Sequence, residues 1–74
     1  MTKQEQIDNS FTYHAPFGNQ PDRYVLLRDS AKVLANLIIV HTPPSREQSL
    51  AITKLEEAIM WANKAIACNE FPEV

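Results

Sequence analysis

Residues 38–52 read Ile-Ile-Val-His-Thr-Pro-Pro-Ser-Arg-Glu-Gln-Ser-Leu-Ala-Ile, and this stretch decides how the chain folds. Consecutive prolines cannot continue a helix, because each lacks a backbone N–H and its ring clashes with the preceding turn. Ser45 and Gln48 have the S-x-x-Q spacing of a capping box, so a new helix is predicted to begin at Ser45. A loop this short between two helices makes them antiparallel.

Apolar residues recur with helical spacing on both sides of the Pro-Pro loop. Pro21 suits the first turn of a helix, so helices are predicted over residues 21–41 and 45–69. The predicted fold is all-α, an antiparallel αα-hairpin. The stripes expected to face each other are Tyr24, Leu27, Ala31, Leu34 and Ile38 on the first helix, and Ile52, Leu55, Ile59, Ala62 and Ile66 on the second.

The N-terminal residues divide into two predicted segments. Residues 1–10 hold no aromatic side chain and are predicted to be a disordered lead. Residues 11–20 hold Phe11, Tyr13 and Phe17 together with the only glycine of the chain, and are predicted to form an ordered, non-helical aromatic arm. The hairpin domain is predicted over residues 11–70, followed by a tail over residues 71–74.

The chain is short for its apolar content. Its 74 residues, 45% of them hydrophobic, allow one domain, and a chain of this size hides only ~60% of its unfolded surface. Trp61 lies ~200° around the second helix from Ile59, away from the seam between the helices, on an outward side that is predicted to hold Leu50 and Cys68 as well. Apolar faces on two sides of a helix predict a homo-oligomer. The alternative is that the arm folds back over Trp61.

Composition and spacing exclude several classes of protein. The single Cys68 cannot form an intramolecular disulfide, and with His14 and His41 it matches no zinc spacing. No nucleophile motif or phosphate-binding glycine loop occurs, so we expect neither an enzyme nor a cofactor. A net charge of −2 with seven Lys and Arg residues argues against a DNA-binding surface. The sequence has no apolar run long enough for a membrane span and no secretory leader, so neither a membrane protein nor a secreted protein is expected.

A small anionic ligand remains compatible with these cations. Phe11 and Phe17 are expected to staple the arm to the hairpin, whereas the ring of Tyr13 could either do the same or stack on a planar base. Arg28 lies beside the first apolar stripe. Arg46 stands at a helix N-terminus, where free N–H groups favour an anion, with Ser49 and Thr53 on the same face. A different class of function is a helical adaptor that docks a protein through the face of Trp61 and Leu50.

Several stretches resemble a known phage family. They are Phe11-Thr12-Tyr13-His14, Gln20-Pro21 with Tyr24, Leu27-Arg28-Asp29, Pro44-Ser45-Arg46-Glu47 and, most specifically, Lys54-Leu55-Glu56-Glu57-Ala58-Ile59-Met60-Trp61-Ala62-Asn63. The chain is similar to the hairpin domain of phage proteins that disarm the CBASS and Thoeris immune systems of bacteria.

The resemblance implies a sponge for immune signals. Such proteins assemble into hexamers in the cytoplasm of the bacterial host and hold cyclic nucleotides without cleaving them. It implies that Tyr13, with Phe11 and His14 beside it, stacks on a base of a cyclic dinucleotide, and that Arg28 meets a phosphate. Arg46, Ser49 and Thr53 are candidates for a second site. Some members bind cyclic trinucleotides and others bind cyclic ADP-ribose isomers, so the ligand is left open, as is a phage or prophage origin.

Overall fold

The computed structural model describes residues 1–72 and contains three helices, α1 (Lys3–Ser10), α2 (Gln20–His41) and α3 (Arg46–Asn69). No strand occurs within the described range. Helices α2 and α3 pack against each other along their length and run antiparallel, so the all-helical hairpin is confirmed. The predicted tail at 71–74 lies partly outside the described residues, which end at Pro72.

The hairpin loop differs in one detail from the expected capping box. The Ser45 hydroxyl caps α3 by accepting from the backbone N–H of Gln48 at 3.1 Å. The Gln48 amide does not return this bond to Ser45, and instead donates to the carbonyl and hydroxyl oxygens of Thr42, each at 3.1 Å. The side chain of Gln48 therefore joins the first turn of α3 to the residue that ends α2.

The seam uses Ala35 rather than the predicted Leu34. Leu34 is 47% exposed, whereas Ala35 is half-buried. At ~100° per residue, Ala35 lies about 40° around α2 from Ala31, and Leu34 lies about 60° on the other side. A small side chain thus faces α3, and the larger one points outward. The α3 stripe is half-buried as expected at Ile52, Leu55, Ile59, Ala62 and Ile66.

The prediction of a disordered lead over residues 1–10 is wrong, because these residues form α1. The Thr2 hydroxyl accepts from the Glu5 N–H at 3.1 Å, and the Glu5 carboxylate accepts from the Thr2 N–H at 3.3 Å. This complete capping box satisfies two N–H groups that a helix end otherwise leaves free. The helix has no apolar stripe, which is why periodicity did not indicate it.

The described part of the chain has almost no buried core. Gln20 and Cys68 are its two buried residues. The radius of gyration is 15.8 Å, against about 11 Å expected for a compact chain of this length. Large apolar side chains cover the outer face of α2, and Val40 is 74% exposed. The other exposed residues on this face of α2 are Leu26, Val33 and Leu37. Even so, none of the helices described combines enough length and apolar character to span a bilayer.

We expect Thr2→Ala to unfold α1 locally, because the capping box stabilises this short helix by about 1 kcal/mol. Amide hydrogen exchange should accelerate over residues 6–10 and remain unchanged in α2 and α3. Ser45→Ala is the matched control, since it removes the cap of α3 instead. Unchanged exchange in α1 of Thr2→Ala would contradict this account.

Candidate functional site

Residues 11–19, called the arm below, connect α1 to α2 and cross the C-terminal end of α3. A cavity of about 370 Å³ lies between the arm and this end of the hairpin. We refer to it as the arm cavity. Its aromatic lining includes Tyr13, Phe17 and Phe71. At Gly18 the backbone has a φ of +57°, a left-handed conformation that favours glycine and lets the arm turn into α2.

Gln20 is the polar centre beneath the arm. Its side-chain oxygen accepts from the backbone N–H of Phe17 at 3.1 Å, and its amide donates to Glu70 Oε1 at 3.1 Å. Arg23 forms a two-pronged ion pair with the same carboxylate, with Nη1 at 2.8 Å from Oε2 and Nη2 on Oε1. The start of α2 is thereby joined to the residue that follows α3.

The Arg23–Glu70 pair sets the charge of this end of the hairpin. The hydrogen bond from Arg23, followed by that from Gln20, lowers the pKa of the Glu70 carboxyl from 4.5 to about 2. The same contact raises the pKa of Arg23. Sequence reasoning missed the pair, because a residue predicted near the end of a helix gives no sign of a partner 47 positions earlier.

The predicted stacking residue, Tyr13, is open to solvent. Its side chain is 83% exposed at the rim of the arm cavity. Next to it, His14 is half-buried, and its Nε2 atom lies 2.8 Å from the backbone oxygen of Asn9. Phe17 is half-buried as a staple should be, but Phe11 is 86% exposed, so its expected stapling role is wrong.

Arg28 lines a second cavity, the groove between α2 and α3, with a volume of about 440 Å³. The guanidinium is exposed and forms no ion pair with the residues described. Lys32 stands one turn further along the same rim. The rest of the lining consists of one acidic residue, Glu56, and an apolar floor of Ala31, Ala35, Ile52, Leu55 and Ile59.

One chain does not bring Tyr13 and Arg28 into a single cavity. Tyr13 lines the arm cavity and Arg28 lines the groove. Arg28 is eight residues beyond Gln20, which places it about 12 Å further along α2. A ligand that touches both side chains therefore needs either a long reach or a second copy of the chain.

The second predicted set lies at the opposite end of α3. Arg46 is the first residue of that helix, and Ser49 and Thr53 follow on its exposed side. None of the three lines either cavity described above. Their role stays a prediction.

Trp61 is 66% exposed, so the alternative in which the arm covers it is wrong. The ammonium of Lys64 lies 5.7 Å from the centre of its ring, within the range of a cation–π contact. Cys68, predicted on the same outward side, is buried. Residue Asn9 packs on it, with the Asn9 carbonyl oxygen 4.0 Å from Sγ.

Within residues 1–72 no three His, Cys, Asp or Glu side chains come together as a metal site.

Comparison with known families gives one decisive match: the model of the Acb2/Tad1 hairpin domain matches residues 3–67. The chain belongs to the Acb2/Tad1 hairpin family. Members of this family act against CBASS and Thoeris as sponges that bind cyclic oligonucleotide signals. No curated protein and no solved structure matches the chain.

The Acb2/Tad1 match includes α1, the arm and nearly all of the hairpin. It ends at Ala67, so Glu70 lies beyond it, whereas Tyr13, Arg28 and Arg46 lie inside it. The family thus accounts for a binding function in general. The residues that would carry binding in this chain are treated as a proposal below.

We expect the Glu70 carboxyl to titrate near pH 2, which an NMR titration of its carboxyl carbon would measure. Because its folded pKa of about 2 is below the usual 4.5, the contact stabilises the fold fully above pH 4.5. This contribution is lost as pH falls toward 2. Arg23→Met should raise the pKa of Glu70, whereas Arg46→Met, at the far end of α3, should not. A midpoint near 4.5 in the unmodified chain would refute the ion pair.

Proposed function

We propose that this protein sequesters cyclic oligonucleotide immune signals in the cytoplasm of a bacterial host and releases them chemically unchanged. The observation that carries the proposal is an exposed tyrosine ring and an arginine without an ion pair among residues 1–72, on a chain of this family. A stacking surface and a phosphate donor are the two groups that a cyclic nucleotide needs. The protein is proposed to be encoded by a phage or a prophage.

Tyr13 is proposed to stack on a base of a cyclic dinucleotide, with Phe11 and His14 beside it. Its ring has an open face, because the side chain is 83% exposed. Stacking of a base on an aromatic side chain contributes ~1–3 kcal/mol, which corresponds to roughly 5- to 150-fold in affinity. Loss of the Tyr13 ring would thus lower the affinity by an amount that a titration can measure.

Arg28 is proposed to bind a phosphate of the same ligand. Its planar guanidinium can donate two parallel hydrogen bonds to phosphate oxygens. If a neighbouring chain covers the groove beneath it, water is excluded there and the charge is screened less than on an open surface. Lys32 on the same rim adds a second positive charge.

A homo-oligomer, proposed to be a hexamer, explains how these two residues reach one ligand. Tyr13 of one chain would face Arg28 of a neighbour, because the two side chains of one chain line different cavities. Association would also cover the exposed apolar face of α2. In a symmetric assembly each interface repeats, so a chain with seven Lys and Arg residues can form several positive pockets.

Binding without cleavage is supported by how the polar groups near Tyr13 are used. His14 Nε2 is engaged by the Asn9 carbonyl, and Glu70 is engaged by Arg23 and Gln20. The Glu70 carboxylate, which both partners hold in its charged form, is therefore not free to act as a general base toward a bound phosphodiester. We also propose a second ligand site, suited to a cyclic trinucleotide, at Arg46, Ser49 and Thr53. Its support is the position of these residues in the first turns of α3.

The first test is calorimetric titration of the purified protein with cyclic dinucleotides, cyclic trinucleotides and cyclic ADP-ribose isomers. At least one class should bind with a dissociation constant near the nanomolar range. After the protein is denatured, mass spectrometry should recover the ligand with its mass and chromatographic retention unchanged. Recovery of a linear product would indicate an enzyme, and absence of binding by every compound would overturn the proposal.

The second test concerns the two residues and their location on different chains. Tyr13→Ala and Arg28→Ala should each weaken cyclic dinucleotide binding by at least about 10-fold. Tyr13→Phe, which keeps the ring, and Lys54→Ala, which removes a cation elsewhere, should bind normally. All variants should sediment like the parent.

A mixture of Tyr13→Ala and Arg28→Ala chains extends this test. If the two residues come from neighbouring chains, random association after refolding together restores about a quarter of the sites. If both residues act within one chain, every site in the mixture stays defective. The second result would refute the shared site.

A second candidate function, a helical adaptor, is favoured by the exposure of Trp61 and Leu50. An exposed indole is a common centre of protein interfaces. The titration above separates the candidates, because an adaptor would bind no cyclic nucleotide. In that case Trp61→Ala would abolish capture of the partner while the oligomer remained intact.

A further inference from the structure

The arm is fastened to the end of α3 at two points, one on each side of its middle. The first point is Asn9, the next-to-last residue of α1. The second is the Gln20–Glu70 pair at the start of α2. Tyr13 lies between them, and its neighbour His14 is part of the first point.

At the first point, Asn9 makes contacts with two other segments. Its side-chain Nδ2 donates to the carbonyl oxygen of Cys68 at 2.8 Å. Carbonyls in the last turn of a helix have no partner within the helix, so this bond satisfies a group that α3 leaves open. The backbone oxygen of Asn9 accepts from His14 Nε2 at 2.8 Å, since a carbonyl oxygen can only accept.

At the second point, the arm is held through its backbone. The Phe17 N–H donates to Gln20 Oε1 at 3.1 Å, and the Gln20 N–H donates to the Phe17 carbonyl at 3.0 Å. Gln20 is 3% exposed and donates to Glu70, whose other contacts are with Arg23. Phe17 therefore has a fixed distance from the residue that follows α3.

We infer that Asn9 and Glu70 are positioning residues that hold the exposed ring of Tyr13 in its binding orientation through His14 and Phe17. The inference rests on the proposed function of Tyr13 and adds α1 to the binding apparatus. A side chain that is 83% exposed is not oriented by its own packing. The place and direction in which it leaves the chain come from the backbone on either side, which the two fastenings hold, and the ring then needs only to rotate about its own side-chain bonds. Pre-ordering the arm removes an entropic penalty that the ligand would otherwise meet on binding.

The experiment compares Asn9→Ala with Gln4→Ala, which removes an exposed side-chain hydrogen bond within α1 and leaves the fastening intact. In the absence of ligand, Asn9→Ala should increase the fast backbone motion of Tyr13 in NMR relaxation, and Gln4→Ala should not. Both variants should keep the α2–α3 helical signal in circular dichroism. Unchanged motion of Tyr13 in Asn9→Ala would overturn the inference, whether or not any nucleotide binds.

A second experiment measures binding in a double-mutant cycle, with cyclic di-AMP as the probe. Asn9→Ala should weaken binding by about 10-fold in the parent, which is about 1.4 kcal/mol. In a Tyr13→Ala background it should have no further effect, because its contribution passes through that ring. An equal loss in both backgrounds would show a general structural role and overturn the inference. Failure of the parent to bind this probe and every other compound of the panel would count against the proposed function, while the NMR result still decides the fastening.

Asn9→Ala could fail to fold, and His14→Phe then serves as the second variant. It removes only the bond to the Asn9 backbone oxygen and keeps an aromatic ring in the arm. It should raise the mobility of Tyr13 in the same way.

Glu70→Gln tests the other fastening, since it loses the ion pair with Arg23 yet can still accept a hydrogen bond from Gln20. It should give a smaller rise in the mobility of Tyr13 than Asn9→Ala does. A larger rise would show that the Arg23 pair, rather than α1, holds the arm, and would overturn the role given to Asn9.

Discussion

Two long helices that share a single seam can each bury only one stripe of side chains. In this chain the stripe on α2 contains small residues such as Ala31 and Ala35, and most of the seam is half-buried. Leu27 and Ile38 are also half-buried there, but other large apolar residues of α2, including Val33 and Val40, point away from the seam. The hairpin geometry thus leaves a second apolar surface, and every proposal about shared pockets depends on it.

The same geometry explains how an acidic chain can serve as an anion binder. Cations need not be numerous if they stand at the edge of an apolar surface that a neighbouring chain covers. Arg28 and Lys32 occupy such an edge, with the floor of the groove below them. Covering this groove would lower the local dielectric and strengthen each contact with a phosphate. A high net positive charge would be needed only for a polymeric ligand such as DNA.

Sequence reasoning recovered the hairpin because its signals are periodic and repeated. Five apolar residues on each helix indicate the same face, so the wrong placement of one of them, Leu34, did not alter the predicted fold. The capping box of Thr2 and Glu5 is a signal of equal chemical clarity, but it stands alone before a helix with no apolar face. The spacing of apolar residues gives no indication of such a helix, because its stability depends on its cap and on contacts with residues distant in the chain. The contacts of Asn9 with Cys68 and of Gln20 with Glu70 join residues 59 and 50 positions apart. Their existence follows from the antiparallel hairpin, but their pairing depends on the path of the arm, which local propensity does not determine.

That path gives the C-terminal end of α3 a central place in the molecule. A helix end exposes carbonyl groups and negative partial charge. Two sets of hydrogen bonds form at this end. The Cys68 carbonyl accepts from Asn9, and the Glu70 carboxylate accepts from Arg23 and Gln20. The match to the Acb2/Tad1 hairpin stops at Ala67, just before both contacts. The α3 side of both fastenings, Cys68 and Glu70, therefore lies outside the matched residues, whereas their partners Asn9 and Gln20 lie inside them.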